Sequence, residues 1–307
     1  MSDRIIGVDV GGTKIAAAAL EGGVLGEVSL TPTETHETDR FLDQLAGIIA
    51  GHGQADAVGI AVPSVVDFET GTARFSVNVP LQHVPLRAVL SERCGGVPVF
   101  VDNDATCAAL AEALGDDMQP IASVVVMITV GTGVGGGVVL NGRIFRGATG
   151  AAPELGHMII AADVTKGAPP TPERFPHPDA LESWAAGREL DELGQERGIG
   201  KGPEVVRRAK EGDPDSVDAI RIVGERLGVG IANVMNLFDP DLIVIGGGVS
   251  TAGELLTGPA EEVARRLALP GVGTKTRIEL ARHGVEAGVR GASLLAAQEL
   301  QAMERTP

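Results

Sequence analysis

Apolar positions fall into two matching patterns. Ile5–Val10 is a β-branched apolar run that stops at Gly11-Gly12-Thr13 and resumes as an alanine-rich apolar run to Leu20. Ile128–Gly137, ITVGTGVGGG, does the same and resumes as GVVLNGRIF. The two align without gaps at a constant offset of 120 positions, Val10 with Val130 and Gly22 with Gly142. Each predicts a strand, a glycine turn, a second strand, and then a tight turn at Glu21-Gly22 or Asn141-Gly142. A hairpin repeated in register implies a duplicated fold with a cleft between its halves. Glycine turns let backbone N–H groups approach an anion, and phosphate is the usual one. Gly131-x-Gly133-x-x-Gly136 also matches the dinucleotide fingerprint, but that motif must open a helix. Strand and turn residues follow here, so this reading is rejected. Lys14 does not stand in a Walker A motif.

Between the hairpins the period changes. Leu30–Glu37 reads as a polar loop, Asp39–Gly51 as an amphipathic helix and Ala57–Val62 as a buried strand. Val65–Ala73 reads as turns and Leu86–Cys94 as a helix. Val97–Val101 is a strand with Asp102-Asn103-Asp104 at its end, and Ala105–Leu114 a helix. After Ala122–Thr129 and the second hairpin comes a proline-rich insertion, Lys166–Pro178. Helices are predicted near 179–184, at Glu204–Glu211, Val217–Phe238, Ala252–Leu267 and Gly291–Ala302. Strands are predicted at Asp241–Ile245, which runs into Gly246-Gly247-Gly248, and at Arg277–Leu280. Alternation of this kind defines an α/β fold with a largely parallel sheet. The boundary is expected near Asp116–Pro120, giving a smaller domain over 1–117 and a larger one over 118–307, with the last helix packing back on the first.

Charge narrows the partners. The net charge of −16 argues against nucleic acid and anionic membranes. There is no apolar run of transmembrane length and no leader, so a cytoplasmic protein is expected. The two cysteines, Cys94 and Cys107, make no disulfide framework and no metal cluster.

Ligands of such sheets bind beyond the carboxyl ends of the strands, where Asp9 and Asp102–Asp104 both fall. Asp9 beside a phosphate turn suits Mg²⁺ held partly through water. Asp104 reads either as a helix N-cap or as a general base. Gly246–Gly248 reads either as a tight turn or as a close approach to a nucleoside. Glu154, His157 and Glu182 offer polar groups after the second hairpin.

Together these segments resemble the ROK group (repressors, open reading frames, kinases) of the actin-like sugar kinase superfamily, over nearly the whole chain. DVGGTKIAAA is similar to its first phosphate motif and ITVGTGVGGGVVLNGRIFRG to its second. DNDATCAALAE is similar to its catalytic segment, ELGH to its sugar motif and LIVIGGGVS to its adenosine segment. The resemblance implies a duplicated actin-like (ribonuclease H-like) fold and ATP-dependent phosphorylation of a hexose, usually at C6. Asp104 would be the base. Asn103, Asp104, Glu154, His157, Glu182, Ser64 and Asn78 would bind sugar. Gly11, Gly12, Thr13, Lys14, Gly131, Thr132 and Gly133 would hold phosphates, and Gly246, Gly247 and Gly248 adenosine. A homodimer is also implied. The departures lie around the sugar. Met158–Leu181 has no cysteine where the family commonly carries a zinc loop, so no structural zinc is expected. Ser64, Leu81-Gln82 and Pro153 replace common family residues. Glucose, an N-acetylhexosamine or an amino sugar such as kanosamine all fit. A non-catalytic sugar sensor is the alternative. A regulator of the family would need a DNA-binding helix-turn-helix before Ile5, where few residues stand.

Overall fold

The structure, a computed structural model, describes residues 3–76 and 78–305. It divides into two compact units. One comprises the chain up to Ile121, Gly137–Ala152 and everything from Arg282; the other comprises Ala122–Gly136 and Pro153–Ala281. The division is finer than a single cut at 117, because the chain returns twice to the first unit.

The first unit holds strands β1 (Arg4–Val10), β2 (Lys14–Glu21), β3 (Val24–Leu25) and β4 (Ser29–Pro32), then helix α1 (Thr38–Gly51) and β5 (Ala57–Val62). Next come β6 (Val65–Asp67), β7 (Thr72–Phe75), β8 (Gln82–Val84), α2 (Leu86–Arg93), β9 (Val99–Asn103) and α3 (Asp104–Ala113). The main sheet runs β3-β2-β1-β5-β9, with β4 paired to β2. β1, β5 and β9 are parallel. Every residue of β5 is buried, as expected of a strand covered on both faces. On one face Phe41, Leu42, Leu45 and Ile49 of α1 join Leu86 and Leu90 of α2 in the core.

Two expectations fail here for one reason. Leu30–Glu37 is expected to be loop, yet its start lies in β4, Ser29–Pro32, which pairs antiparallel with β2. Val65–Ala73 was expected to be turns, yet β6, β7 and β8 form a small sheet. Both are short, polar edge segments whose backbone bonding comes from tertiary pairing and leaves no apolar period in the sequence. The first tight turn is Gly22-Gly23, with φ of 58° and 85°, one residue later than expected. The second is Asn141-Gly142, at 48° and 74°. Positive φ at both central residues is the two-residue hairpin geometry that glycine and asparagine permit.

The second unit is built on β10 (Val124–Val130) and β11 (Val134–Leu140), the strand along which the chain passes back to the first unit, where β12 (Arg143–Ile144) lies. It continues with α4 (Leu181–Ala185), α5 (Gly187–Glu196), α6 (Gly202–Lys210), α7 (Pro214–Phe238), β13 (Leu242–Gly246), α8 (Glu254–Leu267) and β14 (Arg277–Leu280). The sheet order is β12-β11-β10-β13-β14, with β10, β13 and β14 parallel. Helix α7 starts where Asp213 accepts the Ser216 N–H at 3.1 Å and Pro214 takes the first turn. It packs on α8 so closely that Cβ atoms at Gly224 and Gly228 would meet the Leu256 and Ala260 carbonyls.

The last helix, α9 (Ala287–Arg305), belongs to the first unit. It covers the other face of that unit's sheet and lies on α3. Cβ atoms on Gly7, Gly59 and Gly291 would collide with Ser293, Ala292 and Cys107 respectively. Among the described residues, no helix is long and apolar enough to cross a membrane.

Candidate active site

The site residues fall into two sets, one on each unit. On the first, β1 and β9 flank β5 and run parallel to it, so Asp9 and Asp102–Asp104 emerge at the same carboxyl edge. Asp104 opens α3, but it is not the cap. Asn103 is: its Oδ1 accepts the Thr106 N–H at 3.1 Å and the Thr106 hydroxyl at 3.3 Å. The Asp104 carboxylate accepts the Ala105 N–H at 2.8 Å, and the Asn103 side chain also bonds to it. Burial pushes the Asp104 carboxyl upward. Asp9 is pushed up to about 7, first by burial and then by the charge of Asp104, with Lys14 opposing.

The first glycine turn sits beside these acids. The Gly11 N–H donates to the Lys14 carbonyl at 2.9 Å, and the Thr33 hydroxyl donates to the Gly11 carbonyl at 2.8 Å. Thr13 and Lys14 are exposed. Gly12 abuts Asn78, whose Cβ would lie 3.0 Å from a Cβ added there. Ser64 is 5% exposed, and its hydroxyl donates to the Phe75 carbonyl at 2.7 Å. That hydroxyl is therefore committed inside the protein. The Ser64 carbonyl accepts the Asn103 side-chain N–H at 3.4 Å.

The residues around Asp9 suit a divalent cation. Its carboxylate fills a cradle that a Cβ on Gly288 would close, and a second carboxylate, Asp104, raises its pKa. A cation there would offset two half-buried negative charges. Among the described residues, no cluster of three or more His, Cys, Asp or Glu side chains could hold a metal. His157 meets Phe175 edge-on, with ring centroids 5.9 Å apart, and the His177 Nδ1 accepts the Asp179 N–H at 3.0 Å.

On the second unit the other glycine turn is closed by the Gly131 N–H donating to the Gly133 carbonyl at 2.9 Å. The Glu182 Oε2 accepts the Val134 N–H at 2.8 Å and lies where a Cβ on Gly133 would be. Glu182 therefore holds this glycine turn directly, with Arg188 3.8 Å from its carboxylate. The ELGH segment is fixed to the same hairpin. Leu155 occupies the space beside Gly136, and a Cβ on Gly156 would collide with the Val134 carbonyl. Glu154 and His157, on either side of that anchor, are exposed.

A cavity of about 540 Å³ opens on this unit, within the size range of small-molecule sites. Gly131, Thr132 and Gly248 line it. Gly246 and Gly247 do not line it. Gly247 serves the turn instead, at φ 87° and against the Val130 carbonyl. Arg188, Asp191, Val206 and Thr251 also line the cavity, and the motifs did not point to them. Their helices present them. The Leu190 and Leu193 spacing in GRELDELGQE marks α5 as amphipathic, and that period was the available signal.

The pattern that defines the ROK family matches residues 5–299. The glucokinase of Halalkalibacterium halodurans is 32% identical, over 99% of this chain and 98% of that protein. The N-acetyl-D-glucosamine kinase of Escherichia coli O127:H6 is 36% identical, over 94% and 98%. A ROK family glucokinase from Streptomyces griseus, solved in complex with glucose and AMPPNP, is 30% identical with a TM-score of 0.78, covering 96% of this chain and 99% of that one. The chain belongs to the ROK family. Its fold is the two-domain actin-like ATPase fold of the ROK sugar kinases.

Proposed function

We propose that this chain transfers the γ-phosphate of ATP to the 6-hydroxyl of a hexose, with Asp104 as general base. That it is an ATP-dependent phosphotransferase of the hexokinase type follows from its family and its near full-length match to named sugar kinases. The finer reading rests above all on Asp104. The helix-capping role is taken by Asn103, and burial has moved the Asp104 carboxyl toward neutrality, where a base works best.

Phosphoryl transfer needs alignment and charge neutralisation more than covalent help. In this reading Gly11–Lys14 and Gly131–Gly133 hold phosphates, and the 540 Å³ cavity beside Gly248 takes the adenosine. Asp9, through water, holds the Mg²⁺ that accompanies ATP and neutralises phosphate charge. Asn103, Glu154, His157 and Glu182 bind sugar hydroxyls. Ser64 serves through its carbonyl, which steadies Asn103. Glucose and N-acetylglucosamine are the first substrates to test, followed by amino sugars. We further propose a cytoplasmic homodimer whose two units act as the two kinase domains.

The test is coupled ADP release with Mg-ATP over a panel of hexoses, N-acetyl and amino sugars. Turnover on one sugar is expected, with Asp104→Asn lowering kcat by about 10²–10⁴-fold. Sugar binding by calorimetry without turnover on any panel member would replace the kinase with a non-catalytic sensor.

A further inference from the structure

We propose that Arg146 is a positioning residue for the catalytic segment, acting on Asn103 and Asp104 through Asp102 and clamped in place by Phe68. The inference rests on the reading of Asp104 as the base.

Asp102 is 1% exposed. Its Oδ2 accepts the Arg146 Nε–H at 2.7 Å, and its Oδ1 accepts the Asn103 N–H at 2.8 Å. Burial raises its pKa and the Arg146 charge opposes the rise. One carboxylate thus ties a guanidinium to the backbone one residue before the base. The face of that guanidinium lies 3.5 Å from the Phe68 ring centroid. Phe68 is in the loop joining β6 to β7, and the Ser64 carbonyl at the start of that hairpin accepts the Asn103 side-chain N–H. The contacts close a ring: Phe68, Arg146, Asp102, Asn103, Ser64 and back along the hairpin. Nothing in folding alone requires an ion pair at this place. A buried pair is often no more stabilising than apolar residues of equal volume, but it fixes direction. Only arginine offers both a planar face for a ring and a donor edge for a carboxylate.

The chemistry explains why direction matters here. Asp104 is the first residue of α3, and its carboxylate is held from within its own turn, by the Ala105 N–H and the Asn103 side chain. Its aim is inherited from the backbone before it. A displacement of about 1 Å in a reacting group costs on the order of 10²-fold in rate.

The experiment compares Arg146→Lys, Arg146→Met and Asp102→Asn/Arg146→Met with the parent protein. Lysine keeps the charge and loses the fork and the stacking face; the double variant removes the ion pair without leaving a lone buried charge. In each, kcat is expected to fall by about 10–10²-fold while KM for ATP stays within about twofold. The double variant should match the parent's melting temperature more closely than Arg146→Met, yet recover little kcat. Full kcat in Arg146→Lys or in the double variant overturns the proposal. So does a loss of kcat that tracks melting temperature across the three.

Amide hydrogen exchange on the peptide spanning 99–106 gives a readout that needs no turnover. Faster exchange there in Arg146→Lys, with other peptides unchanged, is expected; unchanged protection overturns the proposal. A parent protein with no turnover on any sugar would instead count against the reading of Asp104 as base, and the exchange result would still decide the role of Arg146.

Discussion

The two glycine turns are nearly the same sentence written twice, and they have different neighbours. Gly11-Gly12-Thr13 stands beside two half-buried acids, Asp9 and Asp104, with exposed Lys14 at its end. Gly131-Thr132-Gly133 has one acid, Glu182, bonded straight to the backbone that follows the turn. The carboxylates beside the first turn are not bonded into it. The second turn is held by one oxygen of its carboxylate. Duplicated motifs share backbone geometry, and the side chains that each unit brings against them assign the task.

This comparison can be broken most severely at Gly133. A Cβ there collides with Glu182, whereas one on Gly131 meets nothing within 4 Å. Gly133→Ala should lower kcat/KM for ATP by about 10²-fold, and Gly131→Ala by less than about tenfold, in steady-state kinetics on the best sugar. Equal effects would mean that the turn tolerates loss of the Glu182 contact.

Glu182 itself gives the next largest effect. Glu182→Gln keeps an oxygen to accept the Val134 N–H, and Glu182→Ala leaves that donor unpaired, at a cost of about 1–3 kcal/mol. The melting temperature should therefore fall in the alanine variant and hold in the glutamine one. Sugar affinity, measured by calorimetry, separates the two roles of this residue: a fall in both variants places a sugar hydroxyl on its charge.

The first turn is probed by pH. Asp9 has its folded pKa raised from 3.8 to about 7. The folded state thus binds a proton more tightly than the unfolded chain, and stability is lost as pH rises from about 4 through about 7. Asp9→Asn removes that loss. In EDTA at pH 8 it should stabilise the protein by up to about 4 kcal/mol, and at pH 4 it should change nothing. Denaturant melts at the two pH values check this; a pH-independent difference would remove the charge argument.

The smallest effect expected is at Asn78, which touches Gly12 from an exposed position. Asn78→Ala should shift KM values by only a few-fold, about 0.5–1 kcal/mol.

Sequence reading succeeded where one segment carries its own pattern. Ala57–Val62 and Arg277–Leu280 are strands with the predicted bounds, the first a short buried apolar run and the second an alternation of charged and apolar residues. The place of Asp9 and Asp104 at one carboxyl edge was legible because each follows a short apolar strand run. It failed where a residue's meaning is set by something distant in sequence. Ser29–Pro32 is a strand only because β2 is there to pair with. Glu182 lies against Val134, 48 positions away. Asn103 rather than Asp104 caps α3, a choice settled by backbone angles at one residue. The Asp102–Arg146 pair spans 44 positions and has no motif.

The last helix carries a consequence for how the protein is made. The face of β1 and β5 that α9 covers is translated early, and its cover is translated last, after the whole of the second unit. At about 5–20 residues per second, the ribosome takes on the order of 10–40 s to travel from the end of the first stretch to α9. During that interval the nascent first unit displays Ile5, Val289's future neighbours and the bare glycines of Gly7 and Gly59 to solvent. The second unit's Pro153–Ala281 meanwhile emerges as one uninterrupted stretch. The half of the molecule synthesised first is therefore the half that matures last, and it is the half on which chaperones should be found during translation.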